Sequence, residues 1–583
     1  MTGANPAEHV EPLSPVAEPQ TAPPPQDVKR DATERHGGRV LVDALVQNGV
    51  DTVYCVPGES FLPVLDALHD EAGVQTIVTR HEGAASNMAE AYGKLTGRPG
   101  ICVVTRGPGA THASVGVHTA RQDSTPMILL IGQVETGFLG REAFQEVDYR
   151  QMFGGLAKWV TEIDDFARIP EVIARAWSIA VSGRPGPVVV ALPEDVLFAR
   201  GVVADAKPAV RTVASPSATD LDTLRTMLAA AQRPLVIVGG SGWDAPACRA
   251  LDTFARHFDL PVAASFRRQD LFNNDDERYV GQVGLGISPA LAETVRSADL
   301  LIALGGRLGE VPSGSYSLIT SPVPAQTLIH IHADPDELGR VYQATLAINS
   351  GVAPMALAVA KLEPIEKPVW SEWRAAARHA YLQHSTPSPR ARQATGVDLA
   401  QVVTHLRKVL PPDAMLSNGA GNYTVWLHRF YRYRRPATEL APTSGAMGYG
   451  FPAAIAASLK YPNRTVVCFA GDGCFMMYPQ ELATAMQYGA KPIVLVVNNG
   501  MYGTIRMHQE REYPRRVSGT DMVNPDFVAF AKAFGAYAER VGRTEDFAGA
   551  FERAQQSGVA AVIELITDPL QITPVARLDE TGR

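Results

Sequence analysis

The sequence predicts an α/β fold of three doubly wound parallel-sheet domains, and three observations predict it. Short apolar runs such as residues 127–131 and 466–470 recur at intervals filled by helix-like stretches, the rhythm of parallel strands joined by helical crossovers. At 583 residues the chain exceeds one ordinary core and suits three domains of about 150 to 200 residues. The last third also repeats the first in size and rhythm.

Residues 1–34 are rich in Pro, Ala, Glu and Gln without apolar period, so a disordered tail is expected there. The first domain, 35–205, opens with a helix carrying Val40, Leu41, Ala44 and Leu45 and a strand over 52–56 ending in the turn Pro57-Gly58-Glu59. Strands at 77–78, 101–105, 127–131 and 188–192 alternate with helices, including one after His81 and one over 170–182. Residues 137–159 show little strict period, and 200–217, with alternating Ala, Val, Pro and Ser, read as a linker. The central domain, 218–365, has a helix over 219–230 and strands at 234–238, 262–264, 300–304 and 327–332. Gly239-Gly240-Ser241-Gly242 after its first strand could cradle a phosphate, although strand-to-helix turns favour glycine anyway. The third domain, 390–583, runs from a strand at 414–416 to one at 561–565.

A net charge of -8 argues against a polyanion-binding surface, so no nucleic-acid partner is expected. Five dispersed cysteines form neither a disulfide framework nor a zinc spacing. With no signal-peptide core and no long apolar run, the expectation is a cytoplasmic protein without membrane segments.

The most informative stretch lies in the third domain. A strand at 466–470 empties into Gly471-Asp472-Gly473, a helix follows over 479–488, and a strand over 492–497 ends at Asn498-Asn499. Adjacent parallel strands would put the carboxylate and the carboxamide on one sheet edge, where open α/β sheets bind ligands. An oxygen from each, a backbone carbonyl, two phosphate oxygens and a water would complete an octahedral magnesium shell, with glycine N–H groups facing the phosphates. Singly, GDG is an ordinary turn and NN the start of another.

In this order the stretch resembles the thiamine-diphosphate motif. Beyond the tail, nearly the whole chain resembles the thiamine-diphosphate enzyme superfamily, as a divergent member of its acetolactate synthase-like branch. The resemblance implies Asp472, Asn499 and the Met501 carbonyl as magnesium ligands, with Gly471, Gly473, Cys474, Tyr502, Gly503 and Thr504 around the diphosphate. It implies that Asn418, Gly419, Asn422 and Gly445 also line the cofactor, and that Met447 wedges between its two rings. Arg80-His81-Glu82 marks the catalytic acid; alone, Glu82 would read as a helix-start carboxylate. In its implied role a buried Glu82, with raised pKa, hydrogen-bonds the aminopyrimidine so that its imine nitrogen can take the thiazolium C2 proton. Pro57 and Gly58 join the cofactor set on the first domain. Because acid and metal lie in different domains, the family implies a homodimer with intersubunit active sites, and a homotetramer as a dimer of dimers.

Phe144, Gln145 and Lys158 match residues that face the reaction centre or its entrance in acetolactate synthases. Three positions depart from the branch: Val311 replaces an arginine that reads a substrate carboxylate, His508 stands for a pocket tryptophan, and His112 replaces an asparagine. His112 reads either as a proton donor or as a loop histidine. Gly284-Leu285-Gly286-Ile287 stands where flavin-binding relatives carry a methionine-histidine-glycine stretch, which lowers the expectation of FAD, or ADP, in the central domain. The implied activity is decarboxylation of a 2-oxo acid with carboligation to a second carbonyl. The alternative is a non-carboligating decarboxylase, or a lyase of acyloins or 2-hydroxyacyl thioesters. A scaffold that had lost catalysis would be expected to break Glu82, Asp472 or Asn499, and all three are intact. A nicotinamide dehydrogenase is disfavoured because no GxGxxG opens a sheet.

Overall fold

The computed structural model describes residues 33–387 and 395–579; the expected tail falls almost wholly outside them. Three six-stranded sheets, parallel throughout, form the three domains. In the first, the spatial order is Gln75–Val78, Thr52–Cys55, Gly100–Val104, Met127–Gln133, Pro187–Pro193, Trp159–Glu162. The third reads Glu439–Leu440, Met415–Asn418, Val466–Gly471, Ile493–Asn498, Ala561–Ile566, Tyr537–Val541. Numbered along the chain from Thr52 and from Met415, both orders are second, first, third, fourth, sixth, fifth, so the repeat seen in the sequence is topological. The central sheet differs: Tyr279–Val283, Val262–Ser265, Pro234–Val238, Leu300–Leu304, Thr327–His332, Leu346–Asn349.

Inner strands are apolar along their whole length because helices cover both faces; Met127–Gln133 and Pro187–Pro193 are buried at every residue. The first and third domains share a core, in which the helix Glu82–Thr96 packs against Gly450–Lys460. Small side chains at Ala84, Ala85, Ala89, Ala453, Ala454 and Ala457 permit that approach. Between these layers Glu90 accepts from Tyr449 at 2.5 Å and from Thr125 at 2.6 Å, so its buried carboxyl is satisfied.

Several local expectations change. The single helix expected over 479–488 is a 3-10 turn, Pro479–Glu481, followed by Leu482–Tyr488. Asp472 is not part of an open turn but the first residue of the short helix Asp472–Phe475. The unpatterned segment 137–159 contains the helix Tyr149–Phe153 and leads into the edge strand Trp159–Glu162. Residues 202–216 carry no helix or strand. All five cysteines are free and buried. Among the described residues, no helix is long and apolar enough to cross a membrane.

Candidate functional site

At the carboxyl edge of the third sheet, Gly471 pairs with Val497 in register, so Asp472 and Asn498 leave adjacent strands side by side. Beyond them opens a cavity of about 300 Å³. Its wall includes Gly445, Met447, Gly471, Asp472, Gly473, Cys474, Asn499, Met501, Tyr502, Gly503 and Thr504, gathered from three separate stretches of chain. Asn418 and Gly419 are not on that wall. Asn418 is fully buried, its Nδ2 turned back onto the Gly419 carbonyl at 2.8 Å, and the following residues Ala420 to Tyr423 line the cavity instead.

Asp472 is held from three sides: Oδ1 accepts from Gly473 N at 2.8 Å, and Oδ2 from Gly500 N at 2.9 Å and Asn524 Nδ2 at 2.8 Å. Burial still pushes its carboxyl above the ordinary range, against those donors, a cost that a nearby cation would offset. Asn498 is not on the cavity wall. Its Oδ1 takes a second bond from Asn524 at 3.0 Å and its Nδ2 donates to Glu564 at 2.7 Å. Asn499 and Met501 lie beside Asp472 on the wall, where the Asn499 amide oxygen, which accepts from Met501 N at 3.2 Å, and the Met501 carbonyl are oxygens of the kind a hard divalent ion takes. Thr504 Oγ1 donates to Asn422 Oδ1 at 3.1 Å and accepts from Asn422 N at 2.9 Å, tying two wall segments together. Gly473 has no room for a side chain: a Cβ there would lie 2.9 Å from the Tyr502 ring and 3.5 Å from Met447 Cε. Metal-type oxygens at one end and an apolar Met447 in the wall fit a magnesium diphosphate carrying an organic ring system.

Asn524 was not anticipated. It acts through two tertiary contacts, and its only local sign is the Asn524-Pro525 turn dipeptide.

The second cluster lies on the first domain. Glu82 begins the helix Glu82–Thr96, whose N-cap His81 accepts from Gly83 N at 2.9 Å through Nδ1. Glu82 Oε2 is 2.9 Å from His112 Nδ1, and the His81 and His112 rings lie 4.7 Å apart. Glu82 is 14% exposed and His112 51%. His112 is therefore hydrogen-bonded to the acid, not satisfied by backbone. Burial and neighbouring His112 hold the His81 imidazole below its ordinary range. Gly58 and Gly109 both pack on Thr105, and a Cβ on Gly109 would lie 3.7 Å from Glu82 Oε1, so the Pro57-Gly58 turn adjoins the acid. Phe144, 73% exposed, and Gln145, at φ 65°, belong to a loop pressed on Gly107 at this same edge. No residue among those lining the third-domain cavity comes from the first domain.

Lys158 is placed differently from the expected substrate entrance. Its Nζ donates at 2.5 Å to the Ile179 carbonyl and at 2.7 Å to that of Ser182, closing the C-terminal end of the helix Ile169–Val181, and burial lowers its pKa to about 8. In the central domain, the glycine turn is engaged by protein: Trp243 Nε1 donates to Gly239 O at 2.8 Å, Arg268 to Gly240 O, and Ser241 to Ser124 O of the first domain at 2.6 Å. Gly286 packs on Val425 of the third domain, where a Cβ would be 3.0 Å away.

Comparison with known proteins agrees with this arrangement. Family models for the N-terminal TPP-binding, central and C-terminal TPP-binding domains of thiamine pyrophosphate enzymes match residues 35–152, 221–359 and 419–565. The chain belongs to the thiamine pyrophosphate enzyme family. Within it the chain falls in the acetolactate synthase-like branch. It is 32% identical to the acetolactate synthase isozyme 2 large subunit of Escherichia coli, over 92% of this chain and 96% of that protein. It is 33% identical to the acetolactate synthase large subunit of Parasynechococcus marenigrum, over 91% and 87%. With the mitochondrial acetolactate synthase of Schizosaccharomyces pombe it shares 31% identity, over 88% and 80%.

Proposed function

We propose that this chain is a magnesium- and thiamine-diphosphate-dependent enzyme that decarboxylates a 2-oxo acid and joins the remaining fragment to a second carbonyl compound. One observation carries the reading: the cavity holding Asp472, Asn499 and Met447 is lined by the third domain, while Glu82 stands on the first domain outside it. On this reading, as the family resemblance implies, one cofactor is held between the third domain of one protomer and the first domain of another. A homodimer is the minimum unit, and a homotetramer of two such dimers is the larger assembly of this reading.

When bound, the cofactor supplies a nucleophilic carbon and an electron sink for decarboxylation. The chain's residues bind, orient and move protons. Asp472, Asn499 and the Met501 carbonyl offer oxygens to the cation, and Asn524 keeps Asp472 turned toward the cavity. Met447 would set an apolar side chain against the cofactor's rings. Glu82, with Oε2 on His112, would hold a proton for a ring nitrogen of the cofactor. Apolar Val497 and Ile572 on the cavity wall help exclude water. The central domain's glycine turn is committed to domain packing, and the reading requires no flavin or nucleotide there.

A second reading, an aldehyde-forming decarboxylase or an acyloin or 2-hydroxyacyl thioester lyase, is favoured by Val311 and His508. His508 Nδ1 lies 3.1 Å from Arg511, and Arg307 donates across the domain boundary to the Gln122 carbonyl at 2.9 Å. The test is the purified protein with thiamine diphosphate, magnesium and a panel of 2-oxo acids, read by mass spectrometry. Acetolactate from pyruvate supports carboligation and acetaldehyde supports the second reading. If no acid in the panel loses carbon dioxide, the decarboxylase readings fall.

A further inference from the structure

We propose that Arg267 is a positioning residue for the anionic ligand of the third-domain cavity: a buried cation set behind the cavity wall by the central domain, whose counter-charge the ligand supplies. The inference rests on the proposed thiamine-diphosphate function and adds to it a residue outside the three cofactor motifs.

Arg267 follows the strand Val262–Ser265, in a left-handed backbone conformation at φ 60° that an arginine adopts only at a cost. Its side chain is 3% exposed. The guanidinium lies 4.7 Å from the Phe266 ring centre, donates through Nη2 to the Gly419 carbonyl at 2.9 Å and through Nη1 to the Pro442 carbonyl, and leaves Nε without a partner. Both acceptors belong to the third domain, and neither is charged. Among the described residues no carboxylate lies within ion-pair distance of Arg267, whereas neighbouring Arg268 faces Asp270 at 3.7 Å.

The acids nearest in electrostatic terms are already engaged. Asp123 is bonded to Lys94 and to both N and Oγ1 of Thr443. Burial and the neighbouring Asp270 push the Glu439 carboxyl upward, toward its protonated form. A buried cation with so little compensation is costly unless an anion enters its neighbourhood.

The geometry points to where that anion sits. Gly419 leads directly into Ala420 and Gly421 on the cavity wall. Its N–H donates to Tyr423 Oη at 3.2 Å, and Cys474 Sγ donates to Ala420 O at 2.7 Å. By holding the Gly419 carbonyl from behind, Arg267 fixes this wall segment and directs a positive field through it. Two unit charges about 10 Å apart in an effective dielectric of about 20 attract strongly enough for roughly tenfold in affinity, and the effect grows with ligand charge.

The experiment measures dissociation constants of thiamine diphosphate and thiamine monophosphate, each with magnesium, on cofactor-free protein by calorimetry. Unaltered protein, Arg267→Met and Arg267→Lys are compared. The inference expects Arg267→Met to weaken the diphosphate roughly tenfold and the monophosphate clearly less, with Arg267→Lys restoring most of the diphosphate preference. Equal losses for both ligands would assign Arg267 a purely structural role and overturn the inference, as would undiminished binding by Arg267→Met. If Arg267→Met does not fold, Arg267→Lys decides: a retained preference for the diphosphate supports the charge, and a lost one overturns it. Failure of the unaltered protein to bind thiamine diphosphate would sink the proposed function, and this inference with it.

Discussion

Asn524→Ala removes one amide that holds two groups. Its Nδ2 donates to Asp472 Oδ2 at 2.8 Å and to Asn498 Oδ1 at 3.0 Å. Asp472 keeps its donors Gly473 N and Gly500 N, and Asn498 keeps Gly500 N at 3.2 Å, so the local fold should survive. What is lost is a hydrogen bond to a buried carboxylate whose burial already favours the protonated form. Such a bond contributes about 1.5 to 3 kcal/mol, and residues that support metal ligands typically change metal affinity by about 10- to 100-fold. The expected result is therefore a 10- to 100-fold rise in the magnesium concentration for half-saturation at fixed, saturating thiamine diphosphate, followed by tryptophan fluorescence or calorimetry. Asn524→Asp should be worse than alanine, because it sets a second carboxylate against the first. A magnesium requirement within about twofold of the unaltered protein would show that Asp472 needs no such support, and the placement of the cation there would lose its main structural argument.

Glu82→Gln should leave cofactor affinity within a few fold while slowing hydrogen-deuterium exchange at thiazolium C2 by at least about 100-fold, measured by NMR; unchanged exchange would remove Glu82 from the chemistry. Glu439 gives a pH prediction. Burial and Asp270 push its carboxyl from 4.5 up to about 8, so the folded protein retains a proton that the unfolded chain has released. Stability should then decline as pH rises from about 4.5 to about 8 and level off above; Glu439→Gln should flatten that decline in thermal melts, and an unchanged slope would refute it. Lys158→Met removes the ammonium that closes the helix Ile169–Val181. It should lower the thermal midpoint with turnover per folded protein nearly unchanged, whereas a selective fall in turnover would return Lys158 to the substrate entrance.

How much of the fold was legible in the sequence depended on where each strand sits in its sheet. Inner strands such as Val466–Gly471 and Leu300–Leu304 are buried throughout and read as continuous apolar runs. Within the three large sheets, the strands without a sequence signal are Trp159–Glu162, Tyr279–Val283, Leu346–Asn349, Glu439–Leu440 and Tyr537–Val541, and each lies at the edge of its sheet. Trp159–Glu162, Leu346–Asn349 and Tyr537–Val541 are half-covered and mix polar with apolar residues. Tyr279–Val283 is interrupted by Gly281, and Glu439–Leu440 is too short to make a pattern.

The candidate site divides along a similar line. Asp472, Asn499 and Glu82 could be read because their chemistry is tied to strand ends and a helix start, places that local sequence announces. Asn524 and Arg267 could not, because each works by reaching across the fold to a group distant in the chain: Asn524 to Asp472, Arg267 to Gly419. Lys158 shows the converse. Its position in the sequence suggested an entrance residue, yet Gly186, which has a Cβ position only 3.0 Å from Lys158 Cδ, lets the side chain lie flat toward the carbonyls of Ile179 and Ser182. On the proposed reading, motifs locate the groups that would touch a ligand, whereas the groups that orient them are set by packing. If that division holds, substitutions at Asn524 and Arg267 should alter how tightly the ligand is held while leaving the identity of the product unchanged.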